Sequence, residues 1–284
     1  MKIDSHQHFW KYDPREYPWI DDAKVALRGD YLPADLAREQ GATGYDGSIV
    51  VQARQTLEET RWLLELAEKD PRIHGVVGWV DLQSPAVRDQ LATFAAHPKL
   101  VGVRHVVQDE PDDRFMLRPE FLRGIAALAE FALAYDILIF PKQIPAAIEL
   151  ARRFPSQPFV LDHIAKPFIK DHLLSPWTEQ IRELAACPNV HCKVSGMVTE
   201  ADWRGWKPAD FTPYLEVVLA AFGPSRLMIG SDWPVCLLAA DYGAVMGLAQ
   251  DYFARLSSAD QGKVFGGNAL AFYQRRAVVA GKFA

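Results

Sequence analysis

Three cysteines in 284 residues, Cys187, Cys192 and Cys236, are too few and too unevenly spaced for a disulfide framework or a four-cysteine zinc site. Reduced thiols in a cytoplasmic protein are the simplest reading. Basic charge is scarce as well. The chain has 31 Lys and Arg against 36 Asp and Glu, a formal net charge of −5, which argues against the basic surface that nucleic-acid binding requires. There is no long hydrophobic run: the most apolar stretch, 125–140, is broken by Glu130 and Asp136 and is too short to span a bilayer. The opening MKIDSHQHFW carries charge at Lys2 and Asp4 and no apolar segment, so no signal peptide is expected. A glycine-rich phosphate turn is also missing. Where a doubly wound sheet would carry one after its first strand, this chain has His6-Gln7-His8.

What the chain does have is core material. Hydrophobic residues make up 49% and charged residues 24%, a globular composition. Short β-rich runs recur at 3–5, 48–53, 75–82, 100–106, 137–140, 159–162, 190–195 and 227–231. Most are continuously apolar, as parallel strands covered on both faces are. Helical signals lie between them. Thr56 and Glu59 form a capping box before Leu63, Leu64 and Leu66. Ser84-Pro85 and Ser175-Pro176 each read as an N-cap followed by proline at the first helical position. The stretches 126–135 and 214–222 are amphipathic at helical spacing, and Ser257 with Asp260 suggests a capped terminal helix. Eight strands alternating with helices predict a single-domain (β/α)8 barrel over 1–284, close to the roughly 250 residues such a barrel needs. The charged stretch 108–119 follows the fourth strand and falls either on an active-face loop or on a solvated surface loop.

Barrel enzymes take their chemistry from the C-terminal strand ends. His6 and His8, Gln52 and Arg54, Arg104 and His105, Asp162 and His163, Lys193 and Ser195, and Ser231 and Asp232 all fall at or near such ends. In an extended segment His6 and His8 point to the same side, where two imidazoles can bind zinc or jointly polarise an oxygen. His163 is either a further member of this group or a hydrogen-bonded core histidine. Asp232, in GSDWPV, is either a general base for water or the N-cap of the following segment. Gln52, Arg104, His105 and Lys166 offer donors and acceptors to a hydroxylated substrate, although Arg104 and His105 can instead pair with Asp109 or Glu110. Trp79 and Trp233 can present flat faces to a sugar ring or simply pack, as can Trp19.

The ordered motifs IDSHQHFW, VVQA, VLDHIAKP, CKVSG and MIGSDWPV resemble the lactonase branch of the amidohydrolase superfamily, from Met1 through the terminal helix. That branch includes lactonases of L-fucono-lactone, L-rhamnono-lactone and 2-pyrone-4,6-dicarboxylate. The segments 102–110, 198–204 and 231–240 are most similar to the L-fuconolactonase group. The resemblance implies that Asp232 deprotonates the attacking water, and that His6, His8 and His163 polarise the lactone carbonyl directly or through a divalent cation. It also implies that Arg104 and His105 contact the substrate. The fifth strand ends Phe140-Pro141-Lys142 without histidine, so one zinc held by His6, His8, His163 and Asp232 is conceivable and a binuclear centre is not expected. The zinc is not expected to be strictly required. Ala165 departs from the glycine that relatives carry before Lys166-Pro167. The implied activity is opening of a sugar lactone to the aldonic acid, with no nucleic-acid or membrane partner. A metal-dependent decarboxylase shares the same histidines and aspartate and is the competing reading.

Overall fold

The computed structural model describes residues 1–274; the last ten residues of the domain expected over 1–284 lie outside the described residues. Eight parallel strands form one sheet in sequential order: β1 (Ile3–Gln7), β2 (Gly47–Val51), β3 (Ile73–Gly78), β4 (Leu100–Val106), β5 (Ala134–Leu138), β6 (Phe159–Leu161), β7 (Val190–Val194) and β8 (Leu227–Ile229). The covering helices are α1 (Pro33–Thr43), α2 (Leu57–Lys69), α3 (Val87–Ala95), α4 (Pro119–Leu128), α5 (Ile144–Arg153), α6 (Trp177–Ala185), α7 (Pro208–Phe222), α8 (Tyr242–Phe253), α9 (Ser258–Gly262) and α10 (Asn268–Tyr273). The architecture is the (β/α)8 barrel. No helix among the described residues is long and apolar enough to cross a membrane.

The barrel closes just beyond β8. Asp232 N donates to His6 O at 2.8 Å and His8 N donates to Trp233 O at 2.7 Å. The bonds that join the last strand to the first therefore bring Asp232 beside the His6-x-His8 pair. Gly230 allows this approach, since a Cβ there would lie 2.7 Å from the His6 Cβ.

Two layers fill the barrel. The lower is apolar: Ile3, Ile49, Val77, Val101, Val160 and Met228 pack together under Phe272 and Tyr273 of α10. The layer above it is charged. Lys193 Nζ lies 2.5 Å from Asp136 Oδ2 and 3.1 Å from Asp162 Oδ1, and Arg104 NH1 donates to Asp162 Oδ2 at 3.0 Å. All four side chains are buried. Two cations and two carboxylates balance, the condition under which buried charge is tolerable. The layers meet where Tyr273 OH donates to Asp136 Oδ2 at 2.7 Å.

Several local expectations are corrected. The fifth strand begins at Ala134 rather than 137, and the helix expected over 126–135 ends near Leu128. The chain reverses through a left-handed residue at Ala132 and is extended by 134, so the apolar spacing there belonged to two elements. Thr56 caps α2 as expected, accepting from Glu59 N at 3.1 Å. The other half of the box is absent, because Glu59 turns away and its Oε2 accepts from Ala53 N and Arg54 N. Helices α3 and α6 start after their Ser-Pro pairs, at Val87 and Trp177; Ser84 Oγ still accepts from Ala86 N at 3.1 Å, whereas α6 has no side-chain cap. The 108–119 stretch is not simply solvated: it carries a 3-10 turn at Phe115–Leu117 that buries Phe115 and Met116.

Candidate active site

A cavity of about 700 Å³ opens at the C-terminal mouth. Its floor carries His8, Arg104, His163 and Asp232, with His6 buried beside them. The three imidazoles surround one carboxylate oxygen. From Asp232 Oδ1, His8 Nε2 lies at 3.3 Å, His6 Nε2 at 3.8 Å and His163 Nε2 at 3.8 Å.

The local backbone explains the convergence. After β6 the chain runs through four consecutive left-handed residues, His163, Ile164, Ala165 and Lys166, with φ between 48° and 60°. This compact turn folds His163 back over the barrel and aims Lys166 at the cavity. Ala165 therefore occupies a conformation that glycine adopts more cheaply, which gives the departure noted in the sequence a physical meaning. Asp232 is also left-handed, at φ 58°. Gly196 after β7 supplies clearance, because a Cβ there would sit 2.5 Å from His163 Nδ1.

Each ring is held from behind. His8 Nδ1 lies 2.8 Å from the Val51 carbonyl, which can only accept, so Nδ1 carries a proton and Nε2 faces Asp232. His163 Nδ1 is 2.9 Å from Ser195 Oγ. Arg104 NH1, a donor, faces His6 Nε2 at 3.2 Å, while Lys193 Nζ and Asp162 Oδ1 lie 3.2 and 3.3 Å from His6 Nδ1. Burial holds the His6 and His163 pKa values well below the usual imidazole range. Burial opposes ionisation of Asp232, but His163, His8 and Lys166 more than offset it and the carboxylate is held below its usual range. The same balance holds Asp162 well down, with Lys193, His6 and Arg104 outweighing its burial.

The donors fit one divalent ion. His6 Nε2 and His8 Nε2 are 3.3 Å apart, and both face Asp232 Oδ1. Tetrahedral ligands about 2.0–2.1 Å from zinc are separated by roughly 3.3–3.4 Å. His6, His8 and Asp232 would hold such an ion, with His163 Nε2 close by.

The other sequence-predicted residues divide. Lys166 lines the cavity. Gln52 sits behind Arg104, accepting from its Nε at 2.9 Å and NH2 at 2.7 Å, so its carbonyl oxygen already serves the guanidinium. His105 faces the helical layer, stacked on Phe115 with Nε2 2.7 Å from Glu110 Oε1. In a strand, Arg104 and His105 must point to opposite sides, and here Arg104 takes the barrel side. Trp79 does not line the cavity, and Trp233 packs edge-on against Phe9 and Tyr31. Aromatic lining comes from Trp19, one of the three tryptophans the sequence offered, and from Trp10 and Trp203, with Glu200 adding a carboxylate. The aromatic-dense segment WKYDPREYPWI was the available signal for the first two.

The amidohydrolase family model matches residues 3–275. The chain belongs to this family. It is 44% identical to an L-fucono-1,5-lactonase of Burkholderia multivorans, over 96% of both chains. It is 40% identical to an L-fucono-1,5-lactonase of Burkholderia ambifaria, again over 96% of both. A crystal structure of an amidohydrolase from Burkholderia multivorans with bound zinc is 44% identical, with a TM-score of 0.92 over 96% of this chain and 99% of that one.

Proposed function

We propose that this protein hydrolyses a sugar lactone, L-fucono-1,5-lactone or a related aldonolactone, to the aldonic acid. The observation that carries the reading is the Asp232 carboxylate, held ionised at the cavity floor among three imidazoles. The L-fucono-1,5-lactonases similar to it over nearly the whole chain support the substrate class.

In this mechanism a water lies against Asp232 Oδ1 and loses a proton to it while attacking the lactone carbonyl. The carbonyl oxygen becomes an oxyanion facing the Arg104 guanidinium. The ring C–O bond then breaks, and the proton on Asp232 passes to the departing ring oxygen as it becomes a hydroxyl. One water is consumed and the carboxylic acid releases its own proton to solvent. Arg104 is kept in place by Gln52 and Asp162. Zinc, when held by His6, His8 and Asp232, supplies Lewis-acid polarisation of the carbonyl. Because Arg104 already places positive charge there and a lactone is a reactive ester, activity is expected to survive chelation. Loss of activity on chelation, regained only with added zinc, contradicts that.

The test of substrate is proton release, followed with a pH indicator, across deoxy and non-deoxy aldonolactones, L-rhamnono-lactone and 2-pyrone-4,6-dicarboxylate. The expected result is turnover of L-fucono-1,5-lactone and close analogues, since one methyl group discriminates by only about 1–3 kcal/mol. Turnover of the dicarboxylate with the sugar lactones inert overturns the substrate. Carbon dioxide release without lactone opening overturns the reaction.

A further inference from the structure

The cations lining the cavity are not partnered alike. Arg15 lies 2.7 Å from Asp13, Lys24 lies 2.5 Å from Asp21, and Arg104 lies 3.0 Å from Asp162. Arg54 is in direct contact with Glu16. Lys166 differs: its Nζ is 3.8 Å from Glu200 Oε1, too far for a hydrogen bond. Both side chains line the cavity with Asp232 and His163, and both are mostly buried, 18% and 21% exposed. The left-handed turn from His163 delivers Lys166, and the 3-10 turn Val198–Glu200 after β7 delivers Glu200. A partly desolvated ammonium and carboxylate, close enough to neutralise each other but not bonded, leave a donor and an acceptor directed at a ligand. A hydroxyl satisfies both, accepting from Lys166 and donating to Glu200. A carboxylate satisfies neither arrangement, because Glu200 repels it and Lys166 is already balanced.

We propose that Glu200 sets the charge class of the substrate. With Lys166 it binds a ring hydroxyl of a neutral lactone, and its charge excludes lactones that carry a carboxylate of their own. This rests on the lactonase reading and extends it to a residue that the sequence did not single out.

The experiment compares kcat/KM for L-fucono-1,5-lactone and for a glucaric acid monolactone in the parent protein, Glu200→Gln, Glu200→Asp and Glu200→Gln combined with Lys166→Met. Glu200→Gln is expected to weaken the neutral lactone by about 10-fold or more, mainly in KM, as losing a hydrogen bond to a charged group does. It is expected to raise the carboxylated lactone relative to the neutral one by about 100-fold. Lys166→Met should cancel that gain, because the gain comes from the freed ammonium. Glu200→Asp, which keeps the charge, should keep the exclusion even if the hydroxyl contact is lost. A preference ratio unchanged within about twofold in Glu200→Gln, with the parent active on the neutral lactone, overturns this inference alone. A parent protein that opens no lactone overturns the lactonase reading and this inference with it.

Discussion

The two layers inside the barrel share the same eight strands but solve opposite problems. The lower layer is hydrocarbon, sealed by Phe272 and Tyr273 of the terminal helix, and its side chains ask only for volume. The upper layer buries Asp136, Lys193, Asp162 and Arg104, which ask for partners at fixed distances. Removing a methyl group from the first leaves a hole. Removing a charge from the second leaves another charge stranded. The difference teaches why the site is rigid: Lys193, Asp162 and Arg104 all reach His6, so the charged layer serves as the floor that fixes the imidazole as well as filling the barrel.

The contrast is sharpened by one substitution in each layer. Lys193→Met should cost about 3–5 kcal/mol, because it leaves buried Asp136 without its cation and Asp162 with Arg104 alone, and should also reduce kcat by disturbing His6. Met228→Ala should cost about 2–5 kcal/mol through a cavity while leaving kcat/KM of the folded protein within about twofold. Denaturant unfolding paired with steady-state assays decides. If both variants lose stability and neither loses activity, the charged layer is structural only.

A smaller effect is expected at the junction. Tyr273→Phe removes one hydrogen bond to Asp136, whose carboxyl burial raises to about 6 against the pull of Lys193. The expected loss is about 1–3 kcal/mol, since a buried carboxylate loses a donor. A change under a few tenths of a kcal/mol would mean that the two layers are not coupled there.

The smallest effect lies outside both layers. Burial raises the Glu59 carboxyl to about 7, against the pull of its backbone donors at Ala53 and Arg54 and of the Arg54 and Arg104 charges; Tyr17 also faces it. The folded chain thus keeps a proton that the unfolded chain gives up near 4.5. Stability from this group must therefore fall as pH rises from about 4.5 to 7. Glu59→Gln should flatten that slope, by on the order of 1–3 kcal/mol across the window. Unfolding midpoints of parent and variant that run parallel between pH 5 and 7.5 would remove Glu59 as the source.

How much of this was legible follows the same division. Most strands were visible because they are continuous apolar runs, and His163 and Asp232 because they follow such runs. The charged layer was legible only in part: Arg104, Asp162 and Lys193 stood at or near strand ends, but their partnership was not readable. Asp136 read only as an interruption of an apolar stretch, and its partnership with Lys193 depends on strand pairings 57 residues apart. His105 and Arg104 are neighbours with equal chemical promise, and only the pleat decides that Arg104 faces inward. The cavity's upper wall came from loops: Trp10 and Trp19 from the segment after β1, Glu200 and Trp203 from the segment after β7. Their approach to the mouth depends on turns such as the 3-10 turn Val198–Glu200, which has no periodicity to read.

The account turns on Asp232 as the base that activates water. Its most direct test is the rate of L-fucono-1,5-lactone opening by Asp232→Asn beside the parent, with folding of both checked by thermal unfolding. Asparagine preserves the shape but cannot take the proton, so kcat should fall by about 10²–10⁴-fold with the fold intact. Near-parental turnover by a clean, folded Asp232→Asn preparation would contradict the account.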